Sequence, residues 1–282
     1  MERRISFEKN LGIAYIIPYD KNKNSKGIHM RYFVKVLAGF IILDLYLNIG
    51  IAKSSQFWLQ VLLIVLFFPL LKALLYITKA KEYKNIGISF HSKWWKNLII
   101  GFSIGFSFWL IKYMMVYLFG GLEIKGIKPF SELIISLLMV MLTFLVGSFL
   151  NEIIVRGYIF GHLKERIPVK WVFIISLLLY ALDDSWNEGF SISNTLFSLF
   201  IGLSLTYTIY KTGSLWADTG IHWGLNVCYG IFNGTLGSTD SGIIMTKFKP
   251  ESMPIEIISY IVPLLMFLFV YLLRNKFVRN NV

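Results

Sequence analysis

Apolar residues run through this chain in stretches of about 20, interrupted by short polar tracts, and neither the period of a soluble helix nor the alternation of a strand dominates. A hydrocarbon core of about 30 Å needs about 20 mostly apolar residues per helix. Eight stretches meet or approach that length: 33 to 52, 57 to 78, 97 to 119, 131 to 163, 169 to 186, 193 to 211, 213 to 231 and 255 to 273. The pattern predicts an all-α, polytopic membrane protein with about eight transmembrane helices. The fourth stretch loses its apolar character after Leu150, and the seventh carries Asp218, His222 and Asn226.

Composition agrees. Of 282 residues, 56% are hydrophobic, 17% aromatic and only 16% charged, and the mean hydropathy is +0.62. A soluble domain carries about a quarter of charged residues, so a cytosolic enzyme and a disordered chain are both excluded. The net charge of +12 comes from basic residues placed between apolar runs, which is a topogenic pattern and not a nucleic-acid stripe. With the N-terminus inside, 20 Lys and Arg fall on the cytoplasmic side and 5 outside. Both termini are therefore expected in the cytoplasm, with a cytoplasmic arm over 1 to 32, a membrane domain over 33 to 273 and a tail over 274 to 282. Residues 11 to 17 form too short an apolar run before Pro18 for a cleaved signal peptide. The single cysteine, Cys228, is expected to be a small packing residue, and Gly101 and Gly105 form a small-xxx-small pair for close helix packing.

Ionisable groups at membrane depth cost several kcal/mol unless paired or hydrated, so each is a functional candidate. Lys35 and Lys72 can snorkel, and Asp44 and Lys112 are expected to bridge each other. Polar residues concentrate on the fourth, fifth and seventh spans. Glu152 and Arg156, Tyr180 and Asp184, and Asp218, His222 and Asn226 are each spaced by four and so share a helix face. At 1.5 Å per residue, Asn151, Asp184, His222 and Asn226 lie about 18, 21, 14 and 20 Å from their cytoplasmic helix ends, so they can meet near mid-membrane. Glu152 and Arg156 are expected to pair. His222 and Asn226 offer two donors of the kind a developing oxyanion requires. Asp183 and Glu188 are expected to face the outer water.

These segments resemble a known family. Asn151-Glu-Ile-Ile-Val-Arg156-Gly157, Tyr180 to Asp184, and Gly213-Ser-Leu-Trp216 followed by His222-Trp-Gly-Leu-Asn226 are similar to the three motifs of the CAAX-processing and bacteriocin-processing (CPBP, or Abi) intramembrane glutamic endopeptidases. Those motifs read Glu-Glu-x-x-x-Arg-Gly, Phe-x-x-x-His and His-x-x-x-Asn, and the resemblance covers about 130 to 231. It implies an eight-helix membrane core and hydrolysis of a peptide bond in a membrane-delivered or lipid-modified substrate, with no metal or organic cofactor. By the same resemblance, Asn151 and Asp184 stand where a Glu and a His activate water, His222 and Asn226 where two donors steady the oxyanion, and Glu152 and Arg156 at a supporting pair, with Tyr180 nearby.

The chain departs from the family at Asn151 and Asp184, and a carboxamide cannot accept a proton. Either Asp184 takes over as base while Asn151 orients the water, or hydrolysis is lost and the fold serves as a binding or regulatory membrane protein, such as a bacteriocin self-immunity factor. A transporter would predict an internal repeat, which the sequence lacks. A metal site drawn from Glu152, Asp184, Asp218 and His222 would need three or four convergent ligands. The expected partners are membrane lipid and the peptide substrate, without nucleic acid; the Lys, Asn and Ile content suggests an AT-rich genome, and the resemblance implies a bacterial plasma membrane.

Overall fold

A computed structural model describes residues 26–80, 82–235, 242–250 and 252–279, with 26–29, 187 and 188 described by their backbone alone. It is a helical bundle. In chain order, α1 is Lys26–Leu45, α2 Phe57–Ile77, α3 Trp94–Leu118, α4 Phe130–Glu152, α5 Ile159–Leu163, α6 Val169–Asp183, α7 Ser185–Glu188, α8 Ile192–Thr212, α9 Trp216–Asn233 and α10 Met253–Leu272. The α1 helix continues as a π-helical turn over Tyr46–Ile51, and a second π turn, Ile153–Tyr158, joins α4 to α5. Each of the eight stretches expected from the sequence is occupied by helix. The arm over 1 to 25 and the end of the tail, 280 to 282, lie outside the described residues.

Among the described residues, six helical segments are long and apolar enough to cross a membrane: Met30–Ile51, Phe57–Ile77, Trp94–Leu118, Phe130–Leu163, Ile192–Thr212 and Met253–Leu272. Their large apolar side chains point outward to a degree no soluble protein tolerates. Ile134, Ile135, Leu138, Met139 and Leu142 on α4 and Leu62, Val65 and Leu66 on α2 are all exposed. In hydrocarbon such a surface costs nothing, while backbone hydrogen bonds must close within each helix. The chain is a multi-pass membrane protein.

The two remaining stretches differ for physical reasons. The α6 helix has 15 residues, about 22 Å at 1.5 Å per residue, and continues past Asp184 into the short α7. The α9 helix is packed by α3, α4 and α8, and nearly all its side chains are buried. A helix sheathed in this way never meets lipid, which is why it can carry Asp218, His222 and Asn226.

Glycine makes the sheath tight. A methyl group at Gly101 or Gly105 would collide with the carbonyl oxygens of Ala217 and Ile221, and one at Gly220 or Gly224 with those of Leu98 and Phe102. Two reciprocal small-xxx-small pairs thus bring the backbones of α3 and α9 into contact. The loops before α4 and after α9 form an antiparallel ribbon, β1 Leu122–Ile127 with β2 Ile244–Phe248, which the sequence did not announce. Within the loop after α9, residues 236–241 lie outside the described residues.

Candidate functional site

Glu152, the last residue of α4, is fully buried. Nη1 of Arg156 donates to both of its carboxylate oxygens at 2.7 Å, and Nδ1 of His222 lies 2.6 Å from Oε1. The expected Glu152 to Arg156 pair is therefore formed, and it is joined to α9 through the imidazole. The Arg156 guanidinium stacks 4.2 Å from the Tyr180 ring centroid and donates from Nε to Thr206 Oγ1 on α8. Tyr180 presents its ring edge-on to His222, with centroids 6.1 Å apart. Asn226, one turn beyond His222, donates to Ser148 Oγ at 3.1 Å, one turn before Glu152 on α4. The first and third motif segments thus meet along one helix pair, and Tyr180 closes the third side.

The Gly157 position explains part of the first motif. A side chain there would strike the Ile86 carbonyl and Leu215, so glycine lets the 3-10 turn Tyr83–Ile86 and the start of α9 seat against the π turn. Leu215 N donates to the Gly87 carbonyl, and Trp216 stacks nearly parallel on Phe149.

The second motif corrects the sequence reading. Asp183, expected in the outer water, is buried, and its Oδ2 accepts from Asn151 Nδ2 at 2.5 Å. Asp184, which one of the two alternatives made the displaced base beside Asn151, instead accepts a hydrogen bond from Ser198 on α8. Adjacent helical residues point about 100° apart, and the last turn of α6 turns Asp183 toward α4 and Asp184 toward α8. The side chain of Glu188 lies outside the described residues.

Asp44 is the second correction. It does not bridge Lys112, whose ammonium lies over the rings of Trp109 and Phe197. Asn48 Nδ2 donates to Asp44 Oδ1 at 3.2 Å and to Asp183 Oδ1 at 3.1 Å, while Trp186 Nε1 donates to Asp44 Oδ2 at 3.0 Å. The two carboxyl groups thereby face each other across one amide. They close the polar end of a cleft of about 220 Å³ between α1 and α6, otherwise lined by Leu37, Phe40, Ile41, Leu179 and Leu182. Asp44 and Asn48 share a face by their spacing of four, which was the signal available in the sequence. Nothing there indicated that α1 would deliver them to Asp183.

A sealed layer lies behind Glu152. Asp218 is fully buried, and among the described residues its two oxygens and Arg156 Nη2 have no hydrogen-bond partner. Among the described residues, no three His, Cys, Asp or Glu side chains are grouped to hold a metal ion.

Residues 133–228, about a third of the chain, match the family model described as type II CAAX prenyl endopeptidase Rce1-like. That span runs from α4 to α9 and contains every motif residue above. Comparison with curated proteins and with solved structures returns no match.

Proposed function

Because the segment that carries the site, residues 133–228, matches the Rce1-like family of type II CAAX prenyl endopeptidases, we propose that this protein hydrolyses a peptide bond of a membrane-delivered, lipid-modified substrate at the junction of α4, α6 and α9. The observation that supports this reading best is the convergence on Glu152: Arg156 and His222 both bond its carboxylate, and Asn226 follows one turn later. An amide has two N–H groups, so Asn226 keeps one for a developing oxyanion after binding Ser148. Substrate would enter by the cleft between α1 and α6, whose apolar walls suit a chain arriving from the bilayer. The stretch 33 to 273 then works as one membrane domain, in a bacterial plasma membrane with both termini in the cytoplasm.

A second reading draws on Asn151, which cannot accept a proton and whose amide is already committed to Asp183. In that reading the same pocket binds a peptide without cutting it, as an immunity factor would. The experiment is a survey of new protein N-termini in membranes of a deletion strain complemented with wild type, His222→Ala or Glu152→Gln at matched expression. Hydrolysis predicts termini present with wild type and missing with both variants. Identical termini in all strains, with the deletion phenotype rescued by either variant, would establish binding without cleavage.

A further inference from the structure

Resting on that hydrolytic reading, we propose that His222 is the proton acceptor of the reaction, through Nε2, with Glu152 as the residue that positions it. The other acidic groups near the site are committed. Asp183 accepts from Asn48 on one oxygen and from Asn151 on the other, and Asp184 is held by Ser198. Glu152 and Asp218 are sealed, with no exposure. His222, unlike Glu152, has an opening: its side chain is 11% exposed against 0% for Glu152. Its Nε2 makes no hydrogen bond to the described residues and is not sealed.

The tautomer follows from the partner. Glu152 already accepts two bonds from Arg156, so the proton on the 2.6 Å contact belongs to Nδ1. A neutral ring holding its proton there presents a lone pair at Nε2. That is the reverse of the donor expected for His222 from the family resemblance, and it supplies what Asn151 cannot. In the reaction, water gives a proton to Nε2 as its oxygen bonds the carbonyl carbon, and the oxyanion forms toward Asn226. The imidazolium then returns the proton to the amide nitrogen as the C–N bond breaks, leaving an acid, an amine and a neutral ring.

The test uses the full chain in liposomes and a quenched fluorogenic peptide ending in a prenylated CAAX sequence. His222→Asn keeps a donor in the place of Nδ1 and removes Nε2, so it should fold with the wild-type thermal transition. It and His222→Ala should lower kcat/KM by at least about 100-fold, and by at least about 10 times more than Asp183→Asn, which lines the entry cleft. Added 1-methylimidazole, which accepts a proton but in its neutral form has none to donate, should restore His222→Ala by about 10-fold or more. Rescue by imidazole alone would make His222 a donor and overturn the proposal. So would absence of any rescue, or an Asp183→Asn loss equal to that of His222→Ala. A wild-type chain that cleaves neither this peptide nor any membrane protein in the terminus survey fails the hydrolytic reading itself, a result distinct from an active enzyme whose base lies elsewhere.

Discussion

A carboxylate with no exposure inside a bundle needs its charge met, and Glu152 meets it with a guanidinium and an imidazole on one carboxyl group. Asn151, its neighbour, is fitted to the opposite task. Its amide nitrogen donates to Asp183, which Asn48 also serves and which Asp44 faces. Restoring the glutamate of the family pattern would therefore replace a donor with a third carboxyl group at this point. Asn151→Glu is expected to destabilise the protein by about 3–5 kcal/mol, the cost of an uncompensated buried charge, read as a lowered thermal transition in detergent. Asn151→Gln should retain most of the stability. This residue-scale fit was only half legible in advance. Glu152 and Arg156 declare their pairing by a spacing of four, but Asp183 and Asp184 are adjacent, and helical phase at the end of α6 is fixed by packing.

Both polar clusters lie at π turns. Asn48 lies within Tyr46–Ile51, and Arg156 within Ile153–Tyr158, immediately after Asn151 and Glu152. A π turn widens a helix locally and re-aims the side chains around it, and such turns gather at functional sites. On the far side of the site, the α3–α9 contact holds His222 and Asn226 in place through backbone-to-backbone packing at Gly105 and Gly224. Gly105→Leu should cost about 1–3 kcal/mol by overpacking and should impair activity without touching a polar group. Paired thermal-shift and cleavage measurements check it, and Ser103→Leu, on an exposed position of α3, serves as the matched control. The Gly101 and Gly105 spacing announced a close helix contact. Which helix would fill it was not announced, because any small-residue face can accept any partner until the bundle assembles.

Across the whole molecule, the 3-10 turn Tyr83–Ile86 and the ribbon strand Leu122–Ile127 flank opposite ends of α3, a helix of 25 residues and about 37 Å. They should therefore lie on opposite sides of the bilayer. Cysteines introduced at Lys84 and Lys125 should react with an impermeant maleimide from the inside and the outside respectively, and buried Cys228 should stay unlabelled. Labelling of both from one side would invalidate the assigned orientation. Arg156, counted among the inner charges, is buried against Glu152 and does not contribute to that bias. The membrane class, the helix positions and the pairing within single helices followed from the sequence, because hydropathy, length and a four-residue spacing are local quantities that lipid and the helix period enforce directly. Three features needed the tertiary structure: Asp183 replacing Asp184 beside Asn151, α1 delivering Asp44 and Asn48, and Nδ1 of His222 turned toward Glu152. Each depends on which helices become neighbours and at what rotation, and that is settled by side-chain packing across the whole bundle.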